Sequence, residues 1–344
     1  MSEVTYNNEH MENWGNISRN YHKRKKAMEI SYKICRAILL FGMCFLIIQP
    51  LLDKVSVSFM AEQDLYDSTV VSIPRNFTTG NYRLASQLIS FWPSLFETFY
   101  IVTISSVLQI AACTLAAYGF ARYKFPFKGF WFFCVMLIIV VPPQTIMASL
   151  YLNFHFFDIL GILGLISRIN PNLGIGPINL LNSVFGFWLL SACGMGLKSG
   201  LYIFMLRQYF RGMPKELEEA AWVDGCGKFK TFLQIMLPDA SPMLTSCFLF
   251  SFVWQWTDSF YSSLFLTNYR MLSSGLGSMT ERITQWWAAT NSVTGAAVAS
   301  TAPVGYVMAM IATGMLMCLA PLIILYLIAQ KAFVESLSQT GIKM

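Results

Sequence analysis

The sequence predicts an all-α membrane protein with six transmembrane helices and both termini in the cytoplasm. Three observations carry this. Of the 344 residues, 55% are hydrophobic and only 12% are charged, about half the charge of an ordinary soluble domain. Mean hydropathy is +0.52, and the apolar residues come in blocks able to cross a hydrocarbon core of about 30 Å at about 1.5 Å per residue. Lys and Arg are dense in alternate segments between the blocks and sparse in the others.

Residues 1–33 are polar, rich in Asn and Glu, and include the run "HKRKK". They read as a cytoplasmic tail that turns helical on nearing the membrane. The first apolar block, 37–52, reads as a retained helix. It starts too late for a signal peptide, and "DKVSVSF" offers no small-residue cleavage site. This helix and the extracytoplasmic loop after it make up 34–94. Five further blocks, 98–121, 129–152, 180–206, 243–265 and 302–329, define a core at 95–334, with a polar loop at 212–242 and a tail at 335–344.

Seven basic residues from Arg19 to Arg36 fall on one side, with Arg122, Lys124 and Lys128, five from Arg207 to Lys230, Lys331 and Lys343. That is 17 of the 24. Lys54, Arg75, Arg83, Arg168, Arg270 and Arg282 fall on the other side, and Lys198 lies inside the fourth block. The positive-inside rule puts the richer side in the cytoplasm. The net charge of +6 is thus a matter of topology, and no nucleic-acid partner is implied. Membrane lipid is the surrounding solvent.

Catalytic chemistry finds no support. None of the eight cysteines is spaced C-x-x-C, and they read as small buried apolar residues. Three scattered histidines make no metal centre. "DGCGKF" is not a phosphate loop, because Trp222 stands five residues before Gly227 and Phe229 follows Lys228. Neither a cofactor nor a metal is expected.

The segment "KELEEAAWVDGCGKFKTFLQIMLPDASP", residues 215–242, is the most informative. Pro214 and the glutamates suit a helix start, and Gly225 suits its end. A second short helix follows near Gly227, with Phe229, Phe232, Leu233 and Met236 spaced as one apolar stripe. Pro238 and Pro242 return the chain to the membrane. The stripe suits packing on the protein's own helix ends, and the corner suits an outside partner.

Glu219, Ala220, Ala221, Asp224, Gly225, Phe232, Ile235, Pro238 and Pro242 closely resemble the EAA motif of the membrane subunits of binding-protein-dependent ABC importers. "LAAYGFARYKFPFKGFWFF" and "VVPPQTIMASLYL" are similar to the second and third helices of the maltose-type carbohydrate permeases. "FVWQWTDSFYSSLF" is similar to an element of their fifth helix, and "FVESLSQTGIKM" to their C-terminal tail. The resemblance covers 95–344. Thr257 stands where the family has Asn, Glu335 and Ser336 lie near its usual glycine, and the outer loops are enlarged.

The resemblance implies the type I ABC importer permease fold and residence in the plasma membrane of a bacterium. It implies a second, different permease, two cytoplasmic ATP-binding subunits and an extracytoplasmic solute-binding protein. It also implies import of a sugar or oligosaccharide by alternating access, with Glu219, Ala220, Ala221, Asp224, Gly225, Phe232 and Pro238 coupling the chain to the ATPase. Lys198 and Asp258, polar groups in apolar blocks, then join Trp254 and Trp256 as candidates for the sugar path. Two structural readings stand beside that one: Lys198 as a cap at a helix break, and Asp258 as an anchor for the fifth helix. A permease for a non-sugar solute and a secondary-transporter subunit remain alternatives.

Cysteines placed near positions 70 and 170 are expected to react with an impermeant maleimide from outside, and one near 225 only from inside. Labelling near 225 from outside overturns the topology.

Overall fold

The computed structural model describes residues 2–67, 69–70, 72–158, 161, 176–293 and 302–342. Among them every regular element is a helix, apart from two isolated β-bridges that pair Met60 with Phe77 and Phe157 with Ile178. The loop read at 153–179 is described only at its ends. Arg168, residues 294–301, Lys343 and Met344 lie outside the described residues. The chain divides into two compact units, Met1–Phe77 and Thr78–Met344.

In the first unit, α1 (Ser2–Ser58) is a single helix of 57 residues. The backbone of the polar segment is therefore helical from Ser2, far earlier than the sequence suggests. Its stretch Met28–Ser58 is long and apolar enough to cross a membrane, and none of its most apolar window is buried. A short helix, α2 (Glu62–Tyr66), follows. The loop behind it is closed by the buried carboxylate of Asp64, which accepts the backbone N–H of Asn76 at 2.7 Å and its side-chain amide at 2.8 Å. Those bonds, the backbone one foremost, hold the Asp64 carboxyl below the usual range. Arg75 pairs with Asp67 at 3.1 Å, and Phe59 stacks on Phe77 at 4.7 Å.

The second unit runs α3 (Gly80–Leu88), α4 (Phe91–Arg122), α5 (Lys128–Val140), α6 (Met147–His155), α7 (Val184–Ala192), α8 (Ser199–Gly212), α9 (Glu216–Val223), α10 (Lys228–Thr231), α11 (Ser241–Thr257), α12 (Phe260–Phe265), α13 (Leu272–Gly277), α14 (Met279–Val293) and α15 (Val304–Ile342). The central element is α4, which packs on α7, α8 and α11; α5 packs on α8, and α15 on α3 and α11. At one end of α4 the core is built from Cys113, Ala117, Tyr118, Tyr202, Leu206, Phe210, Phe232, Met236 and Cys247.

Three expected spans are interrupted. The block 129–152 bends by 104° between Lys128–Val140 and Pro143–His155. Pro142 and Pro143 supply no N–H, and each proline pushes its predecessor into extended backbone. The block 180–206 breaks between α7 and α8, where Gly194 has φ +69 and Lys198 has φ +62. The block 243–265 stops at Thr257 and resumes at Phe260. Three helices among the described residues can cross a membrane by length and composition, or up to five when each of two bent pairs counts as one span.

One residue-level expectation is corrected. Only Cys113 and Cys247 are buried; Cys35, Cys44 and Cys193 are exposed, and all eight thiols are free. Trp287 is buried and packs on Tyr306 at 5.2 Å.

Asp64→Ala removes the acceptor for both Asn76 donors and so loosens the loop that they close. Tryptic cleavage after Arg75 should become several-fold faster at neutral pH, while Glu62→Ala leaves it unchanged. Equal rates for the Asp64 variant and the native chain contradict the closure.

Candidate functional site

Three constellations carry the candidate residues. The first is the corner after α9. Asp224 ends the helix with φ −75 and ψ 7, and Gly225 follows at φ +78. The N–H of Cys226 donates to Ala221 O at 2.9 Å and that of Gly225 to Trp222 O at 3.1 Å. This is the paired-bond helix ending that favours glycine at its left-handed position. A Cβ on Gly225 would meet nothing within 4 Å, so what glycine supplies here is its backbone freedom.

Gly227 returns to extended backbone and opens α10, which runs into a π-helical turn, Phe232–Met236, and a last turn, Leu237–Asp239. Pro238 lacks the N–H that would bond the carbonyl of Gln234, and such a gap accompanies the wider turn. The chain then bends by 76° into α11. The predicted apolar stripe divides along its length: Phe232 and Met236 are buried, whereas Phe229 and Leu233 are exposed. Glu219, Ala220 and Asp224 are exposed on the corner, and Ala221 packs inward.

Beneath the corner lies a side chain not singled out by sequence. Glu218 is 6% exposed and accepts the phenolic O–H of Tyr118 from α4 at 2.8 Å. Its carboxylate pairs with Arg122, also of α4, at 3.5 Å. Arg122 donates through Nη2 to Met213 O, just past α8, at 2.9 Å. One buried carboxylate and one guanidinium thus fasten α9 to the ends of α4 and α8. Glu218 and Glu219 are adjacent glutamates, and only the phase of α9 turns the first inward.

The second constellation is a polar hub on α4. Gln109 Nε2 donates to Leu197 O at 2.8 Å and to Ser199 Oγ at 2.7 Å. Its Oε1 accepts from Ser251 Oγ at 2.7 Å and from Gln255 Nε2 at 2.6 Å. All four bonding positions of the buried amide are used. A Cβ on Gly196 would stand 2.9 Å from Gln109 Nε2, so only glycine lets the backbone approach. Gln255 belongs to this hub.

The third is a cavity of about 520 Å³ lined by Pro142, Gln144, Lys198, Trp254, Thr257, Asp258 and Phe260, among others. It gathers three of the four sugar-path candidates. Lys198 occupies the residue before α8 and sets its Nζ 5.1 Å from the Trp254 ring centre. Asp258 accepts the N–H groups of Phe260 at 3.2 Å, Tyr261 at 2.9 Å and Ser262 at 3.2 Å, capping α12. Trp256 does not join them. It is buried, donates to Cys318 O at 3.1 Å and stacks on Phe252.

Comparison with known proteins gives one consistent family. The sequence profile described as "Binding-protein-dependent transport system inner membrane component" matches residues 109–338. A probable ABC transporter permease protein of Pyrococcus horikoshii is 33% identical over 165 residues, 48% of this chain and about half (51%) of that relative. The probable ABC transporter permease protein YurM of Bacillus subtilis is 27% identical over 310 residues, 89% of this chain and 87% of its own length. The maltodextrin transport system permease protein MdxG of the same organism is 24% identical, over 90% of this chain and 96% of its own. Among solved structures, a bacterial ABC transporter involved in import of the acidic polysaccharide alginate superposes with a TM-score of 0.62. It is 18% identical and covers 88% of this chain and 96% of its own.

Glu218→Ala leaves the Arg122 guanidinium buried without its carboxylate, a loss of about 3 kcal/mol or more. Glu219→Ala removes an exposed side chain and should stay within about 0.5 kcal/mol of the native protein. Thermal unfolding of both variants in detergent checks this, and equal midpoints contradict the placement of Glu218.

Proposed function

The chain belongs to the binding-protein-dependent transport system inner membrane components, the permease subunits of ABC importers, and on that premise we propose that it moves a sugar or oligosaccharide into the cell by alternating access. It has no ATPase site of its own on this reading. Six spans with both termini in the cytoplasm carry the path, and α9 with its corner is the coupling element. A second permease completes the pathway, two ATP-binding subunits drive it, and a solute-binding protein delivers the substrate from outside.

The observation that carries the reading is the corner itself. Glu219, Ala220, Asp224 and Gly225 are exposed together on a helix whose other face is fastened to α4 by Glu218. A surface free to enter a cleft in an ATPase is thus attached to a membrane helix by a buried ionic contact. Closure of two ATPases on ATP would move that surface, and α4 and α8 would follow as rigid elements.

The saccharide assignment draws on two supports. The relative MdxG is a maltodextrin permease by name. The cavity at Lys198, Trp254 and Asp258 combines a half-exposed aromatic face with hydroxyl, amide and charged groups, the mixture that suits a sugar ring. Lys198 and Trp254 form its recognising wall, and Asp258 fixes the turn that shapes it.

Gly225→Val forces a β-branched residue into a left-handed backbone, at a strain of about 1–2 kcal/mol or more. No neighbour lies within 4 Å of an added Cβ, and the strain is local, so the helices still fold and insert. The expected result is normal yield, with substrate-stimulated ATP hydrolysis and uptake both falling together in the assembled transporter. Native values for both refute the corner as the coupling element.

A further inference from the structure

The start of α5 and the last turns of α8 bring together cations that the transport cycle does not use. Arg207 lays its guanidinium over the Phe132 ring, with Cζ 3.8 Å from the centroid. Arg211 follows one turn later on α8, and both guanidiniums act electrostatically on Lys128 at the start of α5. Lys124 stands four residues before Lys128 in the preceding loop. Among the described residues none of these four makes an ion pair; the two that occur are Arg75 with Asp67 and Arg122 with Glu218. The Nζ of Lys128 donates to the carbonyl of Tyr123 at 2.9 Å, a neutral partner. Arg207 Nε is buried with no hydrogen-bond partner. Like charges repel, and the Phe132 ring under Arg207 answers one of these cations while none of them has a carboxylate partner among the described residues.

The surroundings say what would neutralise them. Phe127, Trp131 and Phe133 are exposed at the start of α5; tryptophan is enriched at a membrane–water boundary, and the phenylalanines add apolar surface beside it. Phe132, against which Arg207 rests, lies four residues into α5 from Lys128, about 6 Å farther along the helix. The cations therefore span the boundary from its wet edge to a level already walled by aromatic side chains. A carboxylate on a soluble protein would reach only the outer edge. A phospholipid offers a phosphate at the cations and acyl chains along the exposed rings at the same time.

We propose that Lys128, Arg207 and Arg211 form a headgroup site for an anionic phospholipid, with Trp131 and Phe133, one on either side of Phe132 on α5, flanking its acyl chains. Basic pockets between membrane helices on the cytoplasmic side take such headgroups by the same physics. The site lies at the same end of α4 as the coupling corner, since Arg122 and Glu218 join that end.

The test is native mass spectrometry of the full-length chain released from vesicles of phosphatidylcholine containing a minority of phosphatidylglycerol. The native chain should retain phosphatidylglycerol over phosphatidylcholine by at least about tenfold relative to the vesicle composition. Arg211→Gln, an exposed change that leaves the packing intact, should lower that preference several-fold. Arg207→Gln with Arg211→Gln should abolish it, and Arg207→Lys should restore part of it. Arg270→Gln, an exposed basic residue whose backbone bonds Glu97 near the opposite end of α4, should leave it unchanged. Equal retention of the two lipids by the native chain overturns the proposal. So does an undiminished preference in the double variant. Displacement of the lipid by inorganic phosphate or soluble glycerol phosphate would instead assign the cations to a free phosphate.

Discussion

The structure turns on one buried carboxylate. Glu218 sits on a short helix that would otherwise be an exposed loop, and a charge removed from water must be matched by partners close by. Tyr118 and Arg122 supply the match at 2.8 Å and 3.5 Å, and Arg122 is itself held by the Met213 carbonyl. The partners come from α4 and the end of α8, so α9 cannot shift relative to those helices without exposing an unpaired charge. A force applied at Gly225 therefore has a stiff route into the membrane helices.

The same requirement, that polar groups be satisfied internally, shapes the interior. Hydrocarbon offers no hydrogen bonds, so irregular backbone survives only where protein answers it. The break between α7 and α8 frees the carbonyls of Gly196 and Leu197, and these are taken by Ser199 and Gln109. Gln109 also reaches Ser251 and Gln255 on α11, binding α4, the break and α11 into one body. The break at Asp258 is answered the same way, by a carboxylate that accepts three successive N–H groups. Both breaks border the cavity at Lys198 and Trp254, so the interruptions that end regular helix also open the cavity that we propose as the solute path.

Much of this was legible in the residues. The acidic start, the Asp224–Gly225 stop and the spacing of Phe232 and Met236 foretold a helix, a corner and an inward-facing stripe, because capping and periodicity act locally. Pro142 and Pro143 signalled a break in the third block that its apolar composition masked. Trp254 and Trp256 are two residues apart on a helix with about 3.6 residues per turn. They point roughly oppositely and could not share one cavity wall. Other features lay beyond local reading. Glu218 and Glu219 have the same chemistry, and which one is buried depends on the orientation of α9 against α4. The partners of Gln109 come from positions 88 to 146 residues away in sequence, and no periodicity announces contacts at that range.

Spin labels at Lys124, beside the end of α4, and at Val223, on the exposed face of α9, measure the central connection directly. Both positions are solvent-accessible, so labelling leaves the Glu218 contacts in place. Pulsed electron resonance on the assembled transporter, without nucleotide and with ATP under conditions that block hydrolysis, gives the distance in each state. The expected result is one distance distribution, unchanged by ATP, while uptake and hydrolysis remain coupled. A second population appearing with ATP would mean that α9 parts from α4 during the cycle, and would contradict a rigid connection through Glu218.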